Sequence, residues 1–354
     1  MIRRSSLKDM AGPKKCLYAK KKLFLIVKKQ LFFLVIPFGF EPKTYRLEIC
    51  CSIQLSYRTP QFLLCKDAKI CQKCQLLILK LLLFLNVKNI EKALLWLLGI
   101  GMILYIGICG FFYFYQEHLI FPGRVVSAGY HYNFALPYKQ YAIKTADGNI
   151  VDGYLFKAAN PKGLIFYLHG NGGNVESWNK AIPKYIALGY DAFTFDYPGY
   201  GKSTGRLTSL NQLFTAIQTA YDTMKRAYPE QHIIIMGYSL GSGGGAWLAA
   251  NNHPEKLILL APYYSLGDMA LKRYPFLPVV ILKYPINTYQ YISHVSAPVT
   301  IFHGDRDEVI YYGSSIKLTP YLKRTDTLIT LKGQNHEDFD DNAVYMKDLA
   351  AILK

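Results

Sequence analysis

Residues 232–252, HIIIMGYSLGSGGGAWLAANN, decide how the rest of this 354-residue chain is read. An unbroken apolar run ends in Gly237-Tyr238-Ser239-Leu240-Gly241, and a helix-like stretch of small residues follows. In a strand–turn–helix setting, G-x-S-x-G puts a serine on a sharp turn. Such a turn needs small neighbours, because side chains there collide with adjoining backbone. Gly237 and Gly241 remove those side chains, and the stretch from Ser242 to Gly245 extends the clearance. The helix that begins here also points its N-terminus at the serine, which favours developing negative charge.

Outward from this stretch the pattern repeats. Residues 163–169 (GLIFYLH), 191–196 (DAFTFD), 256–261 (KLILLA), 298–303 (PVTIFH) and 327–331 (TLITL) are short apolar runs bounded by turn-forming residues. Runs that are apolar throughout fit strands buried on both faces of a parallel sheet. Helix-length segments lie between them. In residues 207–226, Leu210, Leu213, Phe214, Ile217, Tyr221 and Met224 recur at helical spacing. Residues 141–143 and 151–156 add leading antiparallel strands. The alternation predicts an α/β fold with a mostly parallel sheet flanked by helices, over residues 118–354.

Two further motifs follow predicted strands. His169-Gly170-Asn171-Gly172-Gly173-Asn174 is a loop able to aim backbone N–H groups at a forming oxyanion. The N–H of Asn171 is assigned as one donor and that of Leu240 as the other. His169 itself comes before the serine and opens the loop, so it is read as holding that loop. The second motif is a late pair, Asp307 in HGDRDEV and His336 in GQNHED. A serine hydroxyl needs a base within hydrogen-bond reach. His336 is the expected base and Asp307 the carboxylate that orients it, in the chain order Ser239…Asp307…His336. Asp305 competes with Asp307, but its place directly after Gly304 suits a turn.

The N-terminal quarter differs in kind. Net charge is +17, from 41 basic and 24 acidic residues, yet residues 1–90 hold 18 of the basic and 4 of the acidic ones. The remainder carries only +3, which argues against a nucleic-acid partner for it. Residues 1–88 form a basic leader in which Lys clusters interrupt short apolar runs, with no sustained helical or strand period. Cys71 and Cys74 have metal or redox spacing without a second pair, and six of the seven cysteines precede residue 75. Gly39-Phe40-Glu41-Pro42 is encodable as GGATTCGAACC, whose reverse complement resembles the T-arm of a transfer RNA gene. The expectation is a reading frame that starts too early, with the true start between Phe62 and Met102.

Residues 93–116 contain 24 residues without a charge. As a helix they measure ~36 Å, enough to cross a ~30 Å hydrocarbon layer. Trp96 and the aromatic cluster at residues 111–115 suit the two interfaces, and bulky residues replace the small-x-small site of a cleaved signal. Lys88 and Lys92 place the N-terminus in the cytoplasm and the large domain outside, as a single-pass membrane protein.

These residues resemble the α/β-hydrolase superfamily and, within it, the Bem46-like branch of membrane-anchored serine hydrolases. The resemblance covers residues 90–354. It rests on QEHLIFPGR, YLHGNGGN, FDYPGYGKSTG, GYSLGSG, HGDRDEV and GQNH. It implies a Ser239–Asp307–His336 triad, an oxyanion hole at Asn171 and Leu240, and no metal or cofactor. It also implies esterase, lipase-like or thioesterase activity on a small-molecule or lipid-like acyl ester. Asp196 and Tyr197 match the family's DYPGYG turn, read as structural. Gly243-Gly244-Gly245 departs from related chains, which often carry Pro or Ala there; it is expected to loosen the start of the helix by up to ~1 kcal/mol per Gly. A serine nucleophile points to acyl transfer to water, where a dehalogenase on this fold would use Asp and a dienelactone-type enzyme Cys. Residues 271–281 offer Leu271, Tyr274, Phe276, Leu277, Val279, Val280 and Ile281 as an apolar cap over the site. A serine peptidase and a catalytically idle scaffold of the same fold are the competing readings.

Overall fold

The computed structural model describes residues 23–27, 30–34, 76–77 and 87–354, in two compact units, Met1–Phe84 and Leu85–Lys354. In the first unit β1 (Leu23–Val27) pairs antiparallel with β2 (Gln30–Leu34), with Val27 opposite Gln30. The sequence shows no sustained strand period in this region, because five-residue strands are too short for one to stand out. Residues 39–60 and the Cys71/Cys74 pair lie outside the described residues.

The second unit is built on an eight-stranded sheet. Its strands in chain order are β3 (Tyr138–Lys144), β4 (Ile150–Phe156), β5 (Leu164–Leu168), β6 (Asp191–Phe195), β7 (Ile233–Tyr238), β8 (Lys256–Leu260), β9 (Val299–Gly304) and β10 (Thr327–Leu331). In space they run β10-β9-β8-β7-β5-β6-β4-β3. Pairing is parallel from β10 to β6, and antiparallel where β4 meets β6 and β3. The fully apolar runs are the parallel strands, as covering on both faces requires. In β5 Leu164, Phe166 and Leu168 enter the core on one side of the sheet, while Ile165 and Tyr167 enter the core on the other.

Helices α2 (Ile182–Ala187), α3 (Leu210–Lys225), α4 (Leu240–Ala250), α5 (Leu266–Arg273), α6 (Thr288–Ile292), α7 (Gly313–Leu318) and α8 (Ala343–Ile352) connect and cover the strands. α3 starts where Ser209 Oγ accepts a hydrogen bond from the Gln212 N–H (3.2 Å), and Gln212 Oε1 accepts one from the Thr208 N–H (2.8 Å). Its buried stripe includes Leu213, Phe214, Ile217, Tyr221 and Met224, the side the periodicity selects.

Ahead of the sheet runs α1 (Val87–Ile120), 34 residues long. It extends the 93–116 expectation at both ends. Lys88, Glu91, Lys92 and Glu117 are polar residues a helix tolerates near its termini, so an uncharged window understates its length. It is long and apolar enough to cross a membrane, and its apolar surface is not buried within the unit. After α1 the chain turns at Phe121 and Pro122 and meets the large domain.

Candidate active site

The Ser239 turn joins β7 to α4, with Ser239 between them at φ 52° and ψ −117°. A non-glycine residue at positive φ is strained by roughly 1–3 kcal/mol and persists only where its surroundings enforce it. Here the Ser239 N–H donates to Leu260 O on β8 (2.9 Å), and the Ser239 carbonyl accepts from the Ser242 N–H (2.9 Å) and hydroxyl (2.6 Å). The flanking glycines are required by backbone approach. A Cβ on Gly237 would lie 2.5 Å from Gly241 O, and one on Gly241 2.1 Å from Leu168 O.

The three late-to-early residues converge. His336 Nε2 is 3.0 Å from Ser239 Oγ, and His336 Nδ1 is 2.7 Å from Asp307 Oδ2. Asp307 also accepts from the backbone N–H of Val309 (2.9 Å) and Ile310 (2.8 Å) through Oδ1. All three side chains are buried. Burial works to raise the Asp307 pKa, but His303, His336 and the Ile310 N–H outweigh it and hold the carboxyl below its ordinary range. Asp307 therefore stays anionic beside the imidazole it orients.

His303 was not singled out by its sequence position inside β9. It is fully buried, with Nε2 2.8 Å from Ile310 O and 3.3 Å from Asp307 Oδ2, and Nδ1 2.6 Å from Ser315 Oγ. It ties the acid loop to α7. Its signal in the sequence was only a polar residue ending an apolar run.

The acid and histidine loops are locked together. The Arg306 N–H donates to Gln334 O (3.0 Å), the Asp305 N–H to Leu331 O (3.2 Å), and the Gly333 N–H to Asp305 Oδ1 (2.7 Å). Asp305 is thus a brace between turns. Gly304 allows the approach, since a Cβ there would lie 2.2 Å from Gln334 O. The Tyr238 hydroxyl donates to the His336 carbonyl and secures the same loop from the nucleophile side.

Asn171 and Leu240 lie on neighbouring turns. β5 and β7 are adjacent and parallel with Leu168 opposite Gly237, so the chain emerges at Asn171 and Leu240 from the same sheet edge. Leu240 opens α4, where the first N–H groups have no intrahelical partner. The Asn171 N–H has no hydrogen-bond partner among the described residues. The loop carrying Asn171 is held from beneath. Asp196 accepts from the Val175 N–H (2.8 Å), Tyr197 OH donates to His169 O (3.0 Å), and Tyr200 OH donates to Asn171 O (2.9 Å). From the other side Gly123 bridges Gly173, and the Arg124 N–H donates to Gly173 O (2.7 Å). The DYPGYG and FPGR motifs are therefore struts of this loop.

His169 is part of that support. It is fully buried, its Nδ1 is 2.7 Å from Gly170 O, and it packs against Tyr197 at 4.4 Å between ring centroids. Burial drives its pKa down to about 4 against the raising effect of its backbone hydrogen bonds, which keeps it neutral. Asp196, nearby, is pushed the other way by burial, up to about 7.

In the Gly243-Gly244-Gly245 run, expected to loosen α4, the first two glycines are required by packing. A Cβ on Gly243 would lie 2.0 Å from Tyr263 Oη, and one on Gly244 2.7 Å from Ile217 Cδ1. Glycine lets α4 press against its neighbours. The apolar-cap expectation is also corrected in part. Leu277 is buried, but Leu271, Phe276, Val279 and Val280 are exposed, and Tyr274, Phe276 and Ile281 contact α1. Next to the site, a cavity of about 320 Å³ is lined by Gly172, Trp178, Lys180, Tyr238, Glu337 and Asp340, among others.

Comparison with known proteins agrees with this architecture. Residues 163–279 match the model of the alpha/beta hydrolase fold family. Alpha/beta hydrolase domain-containing protein 17B of Homo sapiens is 28% identical over 221 residues, covering 59% of this chain and 73% of that protein. Lysophosphatidylserine lipase ABHD12 of Macaca fascicularis is 28% identical over 200 residues, about half (49%) of each chain. Among solved structures, the Pyrococcus furiosus esterase Pf2001 superposes with a TM-score of 0.54 at 18% identity, over 65% of this chain and 95% of that one.

Proposed function

For this chain, which belongs to the α/β-hydrolase superfamily, we propose a membrane-anchored serine hydrolase that cleaves carboxylic esters or thioesters. The observation that carries the reading is the continuous relay from Ser239 Oγ to His336 (3.0 Å) and on to Asp307 (2.7 Å). Ser239 Oγ attacks the acyl carbon as His336 Nε2 takes its proton. Asp307 stabilises the imidazolium that results. The carbonyl oxygen, now an oxyanion, accepts from the N–H groups of Asn171 and Leu240. His336 returns the proton to the departing alcohol or thiol, leaving an acyl group on Ser239. A water, deprotonated by His336, then attacks that acyl carbon and releases the acid and free Ser239.

The rigid bracing of both donor turns supports this chemistry, because oxyanion stabilisation depends on donors that need no rearrangement. The relatives' names, a lysophosphatidylserine lipase and an esterase among them, support an acyl substrate. α1 serves as the anchor, with Lys88 and Lys92 on the cytoplasmic side and the catalytic domain outside.

A fluorophosphonate probe tests the nucleophile. It is expected to label the full chain at Ser239 and to leave Ser239→Ala unlabelled. Equal labelling of both overturns the assignment.

A further inference from the structure

Residues 274–282, YPFLPVVIL, follow α5 on the way to α6 and carry no charge. Val280 is 87% exposed and Phe276 53%, and Val279 and Leu271 are exposed beside them. In water such a contiguous apolar patch is a liability and marks a surface with a partner. What borders it identifies the partner. Tyr105 OH of α1 donates to Phe276 O (3.0 Å). The Phe112 ring lies 4.9 Å from that of Tyr274. Gln116 donates to Ile281 O (3.1 Å) and accepts from the Lys283 N–H (2.8 Å). Tyr105, Phe112 and Gln116 share one helix face, so the segment runs along α1 for about 16 Å. The patch is continuous with the apolar surface of a helix whose own apolar residues face outward.

Three further features suit this segment to lipid. Its backbone is satisfied in part within the segment: the N–H groups of Leu277, Ile281 and Leu282 donate to Tyr274 O, Pro278 O and Val279 O, Pro275 and Pro278 have none to satisfy, and those of Phe276, Val279 and Val280 make no hydrogen bond among the described residues. Lys272 and Arg273 on one side and Lys283 on the other give the apolar tip basic flanks, the pattern of an interfacial segment. Lys283 Nζ sits 4.4 Å over the Tyr113 ring and pairs with Glu117 (3.0 Å), at the level of the aromatic cluster expected at the interface. Tyr105 is six residues below Phe111, so the tip at Phe276 lies ~9 Å deeper, the depth an interfacial segment reaches.

We propose that residues 274–282 sink into the leaflet that holds the C-terminal part of α1 and hold the catalytic edge of the sheet against the lipid, so that acyl esters resident in that leaflet are the substrate class. The segment follows α5, which the chain enters from the C-terminal end of β8, the edge that also carries Ser239, and the chain leaving α1 pairs with Gly173 three residues after Ile120. Two tethers thus bracket the site. The inference rests on α1 as anchor and Ser239 as nucleophile.

The test uses the full chain in bilayer nanodiscs of phosphatidylcholine with an anionic lipid, some of it brominated on shallow acyl positions. Trp96 in α1 reports the anchor, by comparison of the parent with Trp96→Phe. Val280→Trp in the Trp96→Phe background reports the segment. Quenching of both by brominated lipid is expected. Quenching of Trp96 with the Val280→Trp residue open to aqueous iodide overturns the inserted segment and leaves the anchor standing. Absence of quenching at Trp96 overturns the anchor and this proposal with it. In parallel, the double variant Phe276→Asp/Val280→Asp is expected to hydrolyse a long-chain ester embedded in vesicles about tenfold more slowly, with a soluble acetate ester unaffected. Equal rates on the embedded ester, or an equal loss on both, overturn the leaflet-substrate inference.

Discussion

Two helices of this chain are apolar almost all round, and they meet opposite fates. α4 is buried along nearly its whole length, with Leu240, Gly243, Gly244, Gly245, Ala246, Leu248 and Ala249 all enclosed. α1 exposes Leu94, Leu95, Trp96, Leu97, Leu98, Ile103 and Phe114 among many others. A helix without a polar face must find an apolar environment on every side. Residue size separates the two solutions. α4 is made of small residues, which let backbones approach, and its glycines touch carbonyls and buried rings of other elements. α1 is made of large ones, and Gly99, Gly101, Gly107 and Gly110 have nothing within 4 Å of where a Cβ would stand. Packed protein supports the first helix, and the second, long and apolar enough to cross a membrane, has lipid as its proposed surroundings.

The largest effect expected on the α4 side is chemical. Ser239→Ala or His336→Ala should lower kcat for ester hydrolysis by several powers of ten while the unfolding temperature stays close to the parent's. A comparable fall in stability would mean that the triad's role at the head of α4 is architectural.

Next in size are the glycines. Gly241→Ala places a Cβ 2.1 Å from Leu168 O, and backbone cannot yield cheaply. Gly243→Ala meets Tyr263, which is fully buried. Each is expected to cost about 2 kcal/mol or more, measured by denaturant unfolding of the full chain in micelles. Gly245→Ala, whose nearest neighbour is at 3.4 Å, should instead be neutral or stabilising by up to ~1 kcal/mol. Gly101→Ala and Gly107→Ala in α1 should leave the unfolding of the large domain unchanged. A loss there equal to that of Gly243→Ala would place α1 in a protein core and erase the distinction between the two helices.

A smaller effect belongs to the supports of the Asn171 loop. Burial lifts the Asp196 carboxyl to about 7, against 3.8 for an unburied one. The folded chain therefore keeps a proton that the unfolded chain has lost between those values. The associated stability is complete below about pH 4 and is lost as pH rises through about 7. Asp196→Asn removes that slope, so its melting temperature should gain on the parent's steadily from pH 4 to 7.5. A constant difference across the range would show that Asp196 does not titrate there.

The expected strands coincide with the observed ones because each is a local apolar run between turn residues, and a parallel sheet asks for nothing subtler. The Ser239 turn was legible for the same reason: the collisions that exclude side chains at Gly237 and Gly241 arise within a few residues of Ser239 and along the adjoining β5. His303 was not legible, since a histidine ending a strand acquires its role only from Ile310, Ser315 and Asp307 around it. Tyr200 reads as one aromatic in a turn until it is found holding Asn171 O. Residues 271–281 read as an apolar cap because their composition is apolar; their direction was set by Tyr105, Phe112 and Gln116, more than 150 positions away.

The sequence by itself indicated the order of strands and helices in residues 118–354, the candidate serine, acid and base, and a long apolar helix. Those properties follow from short-range periodicity, turn sterics and side-chain chemistry. Tertiary structure alone decided that Ser239, His336 and Asp307 come within hydrogen-bond reach, that two motifs act as struts for a third, and that the apolar segment lies against α1. Those outcomes depend on how distant elements pack, because hydrogen-bond distances and exposure are properties of the assembled unit and belong to no single stretch of chain.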